Sequence, residues 1–235
     1  MRMRRVVVLS SFGPPEVMSW GEEPCPERGV GEVLVEVEAI GVNFADTMVR
    51  RGEYRRDQPL SFIPGSEVAG VVLEGPADGP PPGTRVIVFM EDGGGYADHV
   101  VAPLDHVFPV LDGLAASQAA AVFSQGVTAW YAVHRFGRIA AGMTVLIHAA
   151  AGGLGSLCVQ LCAALGAEVI GVASTDDKRE RARAHGASHV IAPDPEALAA
   201  EVRELTGGRG VDVVIDGVGG PVFAPSLRAL AFNGH

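Results

Sequence analysis

Residues 144–155 read Thr-Val-Leu-Ile-His-Ala-Ala-Ala-Gly-Gly-Leu-Gly, a run of apolar β-formers that breaks into glycines. It opens on a helical pattern, Leu157 to Leu165, closed by Gly166. A glycine loop between a strand and a helix is the setting of a dinucleotide-binding site. Small residues let the backbone approach a pyrophosphate, whose charge sits where the helix N-terminus points free N–H groups outward. The loop residues that would do this are Ala150, Ala151, Gly152, Gly153, Leu154 and Gly155. A second strand, 168–173, ends about twenty residues on, where a site for NAD places an acid for the ribose hydroxyls. Here that position is Ala173, followed by Ser174 and then Lys178, the only lysine in the chain. An uncharged strand end followed by a lone ammonium points to a 2′-phosphate, held by Ser174, Lys178 and Arg179, and so to NADPH. The competing reading of Asp176-Asp-Lys-Arg is a solvated helix start with acids in its first turn; it explains the aspartates and not the lysine.

Composition removes several classes. At 48% hydrophobic and 20% charged residues the chain is globular with a substantial core, and 235 residues allow one large domain or two small ones. A formal charge of −10 argues against nucleic acid as a partner, since that requires a basic face. No apolar run is long enough for a membrane span. The start, Met1-Arg-Met-Arg-Arg followed by three valines, reads as a first strand and not as a signal peptide. Three cysteines cannot make a disulfide framework, and a cytoplasmic protein is expected.

Two textures divide the chain. Over 1–120, short β-like runs (5–10, 32–39, 66–73, 85–89 and 97–102) are separated by Gly/Pro punctuation, which predicts a small β-rich domain. Over 121–235, strands at 144–149, 168–173, 189–191 and 211–215 alternate with helices at 153–165, 176–185, 195–206 and 221–231. Such alternation predicts βαβ crossovers and a parallel sheet with helices on both faces. The fold class expected is α/β, a β-rich domain followed by a doubly wound domain. Four strands are only a little more than half of a six-stranded dinucleotide fold. The doubly wound domain is therefore expected to be incomplete, cut before its fifth strand, with 211–215 as an edge that invites pairing.

With these residues in view, the chain resembles the zinc-independent medium-chain dehydrogenases/reductases, on their quinone oxidoreductase branch. The branch signature is matched by Gly142, Leu146, Ala150-Ala-Gly-Gly-Leu-Gly155 and Gln160, with Ala163 in place of its final basic residue. Upstream, Gly41-Val-Asn-Phe-Ala-Asp46, Arg51-Gly-Glu-Tyr54, Pro64-Gly-Ser-Glu-Val-Ala-Gly70, Gly94-Gly-Tyr-Ala97 and Gly126-Val-Thr-Ala129 follow in the family's order. The resemblance implies a GroES-like catalytic domain, then a Rossmann domain with the nicotinamide in the cleft between them. Family members run longer and commonly dimerise through the far edge of the Rossmann sheet. A homodimer is thus expected of the full-length protein, and this fragment is expected to lack that edge. Pro193 replaces an aromatic often found near the adenosine, and Gly217 replaces a serine after the fourth strand.

Zinc-dependent relatives need a Cys after the Gly-Val pair and a His before Glu67, positions held here by Asn43 and Ser66. Cys158 and Cys162 have a spacing that ligands can use but sit in an apolar helix, and packing thiols are the better reading. Without a metal, the cofactor carries the chemistry and the protein supplies position. The resemblance puts Asn43 beside the nicotinamide ribose or the reacting carbonyl, and Thr128 on the nicotinamide side. The bland readings are a turn residue and a helix start. Tyr54 is a candidate proton donor, with water as its rival. Asp46 and Glu67 are expected to serve hydrogen bonding more than acid–base work, and His148 to be a core histidine. The function expected is NADPH-dependent hydride transfer to a quinone or an α,β-unsaturated carbonyl. The alternatives are an enoyl-thioester reductase and an inactive NADPH-binding fragment.

Overall fold

The structure is a computed structural model and describes residues 2–54 and 59–235. It divides into two compact units, Met1–Ser124 and Gln125–His235.

In the first unit β1 (Met3–Leu9) and β2 (Met18–Pro24) pair antiparallel. β3 (Glu32–Gly41), β4 (Glu67–Glu74), β5 (Arg85–Phe89), β6 (His99–Pro103) and β7 (Val107–Pro109) form an antiparallel sheet in the order β6-β3-β4-β5-β7. Alternation along these strands sends Val33, Val35, Val68, Val72, Val86, Val88 and Val100 to one core, closed by Val6 and Ala97. Ala69 and Ile87 face the other way, against Ala119 and Ala120 at the end of α2 (Ala116–Ala119). Between β3 and β4 lies α1 (Phe44–Arg51), ended by Gly52 in the left-handed region at φ 72°. The five predicted β runs all become strands, four with ends moved by one or two residues and 85–89 unchanged. β2, β7 and α1 are not marked by the sequence pattern. β2, Met-Ser-Trp-Gly-Glu-Glu-Pro, lies on the surface and buries too little to show an apolar face; Trp20 is 82% exposed.

A helix, α3 (Phe123–Trp130), leads into the second unit and continues as one turn of π-helix over Tyr131–Phe136. There β8 (Thr144–Ile147), β9 (Glu168–Val172), β10 (His189–Ile191) and β11 (Val213–Ile215) make a parallel sheet in the order β10-β9-β8-β11. The order reverses at β8, because the chain first builds outward on one side and then crosses to the other. α4 (Gly153–Ala164) and α5 (Asp176–Ala184) cover one face, burying Val145, Ile147 and Val169 with Cys158, Val159, Cys162 and Ala182. α6 (Leu198–Leu205) and α7 (Phe223–Ala229) cover the other, over Leu146, Ile170, Val172 and Ile191. Strands buried on both faces explain why their sequences read as continuous apolar runs. β11 is the sheet edge; its outer side receives the backbone of His235, with Val214 N–H donating to His235 O at 2.9 Å and His235 N–H to Asp212 O at 3.0 Å.

Burial pushes the Cys158 and Cys162 thiols up, to about 11 and about 12, which leaves both as protonated packing groups. Among the described residues no helix is long and apolar enough to cross a membrane, and no group of three His, Cys, Asp or Glu could hold a metal ion.

Candidate functional site

In the second unit the carboxyl ends of β8, β9 and β11 gather the loops where an open parallel sheet binds ligands, next to the point of strand-order reversal. β8 ends in a tight turn. Ala149 takes φ 48°, a region that side chains rarely adopt, and its carbonyl accepts the Gly152 N–H at 2.7 Å. Gly152 then opens the twelve-residue helix α4 with no side-chain cap and no acid in the first turn. Gly152 and Gly153 are exposed, while Ala151 and Leu154 are half-buried. Ala150 and Gly155 are buried. A Cβ at Gly155 would lie 2.2 Å from Ala149 O, which is why the turn and helix can close this tightly only over hydrogen.

β9 is followed by buried Ala173, and the next turn brings Lys178 Nζ to 3.5 Å from Ser174 Oγ, both exposed. Thr175 caps α5, accepting the Lys178 backbone N–H at 3.3 Å. Arg179 is turned to another task. Its guanidinium donates to Ala173 O at 3.0 Å and pairs with Asp176 at 2.6 Å, bracing the strand end. β11 is followed by Asp216, whose Oδ1 accepts the N–H groups of Val218 (2.8 Å) and Gly219 (2.9 Å). Exposed Gly217 sits beside the glycine loop, since a Cβ there would come within 3.8 Å of Leu154 Cδ2. Asp216 Oδ2 is buried with no hydrogen-bond partner among the described residues.

His148 is 4% exposed, one residue past the end of β8. Ser226 donates its hydroxyl hydrogen to Val222 O at 2.7 Å, so the 2.8 Å contact between His148 Nε2 and Ser226 Oγ has the imidazole as donor. Burial lowers the His148 pKa below its ordinary 6.5, with the Asp216 charge opposing. A histidine depressed on folding contributes stability that is present above its unfolded pKa and lost as pH falls through the folded one. Wild type is therefore expected to lose melting temperature more steeply than His148→Gln between about pH 7 and about pH 5. Parallel melting curves across that range would contradict it.

In the first unit the loop after β3 and the start of β4 build a polar cluster. Asn43 opens α1 in a capping-box arrangement, with Asp46 Oδ2 accepting the Asn43 backbone N–H at 2.8 Å. Its carboxamide Nδ2 lies 2.7 Å from Glu67 Oε1 and 3.3 Å from Ser66 Oγ. Glu67 is fully buried, and its Oε2 accepts the Ser124 backbone N–H at 2.8 Å. A Cβ at Gly41 would fall 2.2 Å from Ala120 O and 2.4 Å from Glu67 Cγ, so the glycine makes room for the acid. Tyr96 Oη donates to Asp46 Oδ2 at 3.3 Å; burial and the Asp46 charge hold the phenol far above its usual range, as a protonated donor. Burial likewise pushes the Asp46 carboxyl up, against the bonds from Asn43 and Tyr96. Tyr54, beyond the end of α1, is 52% exposed, and Thr128 is exposed on α3. The Tyr96 link to Asp46 carries no sequence signal, being fifty residues away along the chain.

Residues 29–112 match the alcohol dehydrogenase GroES-like domain and residues 153–235 the zinc-binding dehydrogenase domain. A 2-haloacrylate reductase of Burkholderia sp. is 36% identical over 241 residues, covering 99% of this chain and 72% of that protein. This chain belongs to the medium-chain dehydrogenase/reductase family. Its relatives lie on the quinone oxidoreductase branch. A quinone oxidoreductase-like protein 2 homolog of Nematostella vectensis is 35% identical over 234 residues, and the match takes in 98% of this chain but only 64% of that relative. A mycobacterial protein solved in complex with NADPH superposes with a TM-score of 0.90 at 38% identity, covering 98% of this chain and 71% of that one. The α/β architecture, a GroES-like unit followed by a Rossmann-like one, is thereby established.

Proposed function

We propose that this protein is an NADPH-dependent reductase that delivers hydride to an electron-poor small molecule, a quinone or an α,β-unsaturated carbonyl, without zinc. The observation that carries this reading is the pairing of Ser174 and Lys178 at the end of β9 beside Ala173, a cationic pocket where an acid would select NAD. NADPH, when bound, supplies the hydride. Gly153 offers its backbone N–H at the α4 N-terminus to the pyrophosphate, with exposed Gly152 allowing its close approach and Ala151, Leu154 and Gly217 shaping the floor. Arg179 adds positive potential while fixing the strand end. Asp216 Oδ2, buried and unpartnered among the described residues, fits a hydroxyl or amide donor of the ligand. Thr128 and Asn43 hold the nicotinamide end, and Tyr54 donates a proton to the reduced acceptor. The names of the relatives, a quinone oxidoreductase-like protein and a 2-haloacrylate reductase, support this acceptor class.

Zinc independence rests on donor chemistry: Asn43 and Ser66 stand where a thiolate and an imidazole would be needed, and the Asn43 amide is spent on Glu67. Turnover is expected to survive exhaustive chelation unchanged. A loss that added zinc restores would overturn the metal-free reading. The function itself is tested by following reduced-cofactor consumption against a panel of a benzoquinone, a 2-haloacrylate and an enoyl thioester. Turnover with NADPH on the first or second is expected. Tight NADPH binding with no turnover on any of them would instead show a binding protein, and preference for the thioester an enoyl-thioester reductase.

A further inference from the structure

Two cations stand at the end of β9, and they are held differently. Lys178 Nζ lies 3.5 Å from Ser174 Oγ and has no ion-pair partner among the described residues. Arg179 Nη1 donates to Ala173 O at 3.0 Å, at the residue just before Ser174, while its Nη2 meets Asp176 Oδ1 at 2.6 Å. The guanidinium is therefore anchored where the cofactor ribose is expected, with a carboxylate laid against it. The two halves of this ion pair are unequal. The Arg179 side chain is 22% exposed and tied to the strand end, whereas Asp176 is 96% exposed and has no other hydrogen-bond partner among the described residues. An exposed carboxylate is readily given up, because water solvates it again. A guanidinium takes a phosphate with the same planar fork that takes a carboxylate. Position in the helix explains part of this: Asp176 and Asp177 both lie in the first turn of α5, where acids suit the helix dipole. That does not account for the difference between them, since Asp177 forms no bond to Arg179.

We propose that Asp176 is a specificity-determining residue that restrains the preference for NADPH over NADH: it occupies the Arg179 guanidinium, which exchanges this carboxylate for the 2′-phosphate when NADPH binds. The proposal rests on the 2′-phosphate reading of Ser174 and Lys178, and adds a third partner whose charge is withheld until the cofactor arrives. NADH brings no phosphate to this point and leaves the pair intact. The carboxylate thus weighs against one cofactor alone.

The test removes the competing charge and keeps its shape. Asp176→Asn is expected to bind NADPH about threefold to fivefold more tightly than wild type, with NADH within about twofold, as calorimetric titration with each nucleotide would read. Asp177→Asn deletes an equal charge from the same helix turn without touching Arg179, and its NADPH affinity is expected to stay within about twofold. In an Arg179→Ala background, Asp176→Asn is expected to bring no gain over Arg179→Ala alone, since substitutions of paired residues are not additive. Unchanged or weaker NADPH binding in Asp176→Asn, an equal gain in Asp177→Asn, or a gain that persists without Arg179 would each overturn the proposal. Equal losses of NADPH and NADH binding in Lys178→Ala would strike instead at the 2′-phosphate reading on which it rests.

Discussion

Lys178→Ala is expected to weaken NADPH binding about tenfold to a hundredfold while leaving NADH binding within about twofold. The ammonium lies 3.5 Å from Ser174 Oγ at the exposed end of β9, and it forms no ion pair among the described residues. It has no structural duty whose loss would disturb both cofactors alike. Its neighbour differs: Arg179 is committed to Asp176 and to Ala173 O, so Arg179→Ala is expected to lower stability and to affect both nucleotides. A charge-assisted bond to a phosphate contributes about 1.5–3 kcal/mol, which sets the size of the expected loss. Because the site is exposed, NADPH affinity should also fall with added salt more steeply in wild type than in the variant. Fluorescence titration with both nucleotides checks this, and equal losses for NADPH and NADH would contradict the 2′-phosphate assignment.

The second large effect is on stability. Gly155→Ala places a Cβ 2.2 Å from Ala149 O, 2.8 Å from Ala149 C and 3.0 Å from Ala150 Cα. These are backbone atoms of a turn already closed by the 2.7 Å bond from Gly152 N–H to Ala149 O, and they have nowhere to go. Alanine would ordinarily stabilise a helix by about 1 kcal/mol over glycine. The expected sign is opposite: a loss of about 2–4 kcal/mol, a fall in melting temperature of about 5–15 °C. Gly153→Ala is the control. Its Cβ would meet the tip of the Gln125 side chain at 1.8 Å, and a side chain can move aside. Thermal unfolding of the two variants should therefore separate them clearly, and a Gly155→Ala protein as stable as wild type would show that the turn opens at little cost.

The second unit was the more legible in sequence. Its strands are buried on both faces, so apolar runs mark them, and glycines and Thr175 mark helix ends directly. α6 and α7 fall inside the expected ranges: 195–197 form a turn before α6, and after α7 Leu230 becomes extended and bridges Val211. In the first unit, α1 lies hidden in a stretch whose residues serve the polar cluster, and β2 shows surface residues only. The cluster itself is long-range. Tyr96, Asp46, Asn43, Glu67 and Ser124 come together because β3 and β4 pair antiparallel and the chain returns to them twice, which no local pattern encodes. Burial divides the glycine loop into exposed Gly152 and Gly153 and internal Ala150 and Gly155, a distinction that no local pattern encodes.

The central claim is hydride transfer from NADPH, and isotope transfer tests it most directly. The chain is incubated with a 2-haloacrylate and NADPH carrying deuterium at the nicotinamide carbon that gives up the hydride, and the product is analysed by mass spectrometry. One deuterium on the β-carbon of the saturated acid is the predicted result. Consumption of NADPH with no deuterium in the product, or saturating NADPH binding with no product, would contradict it.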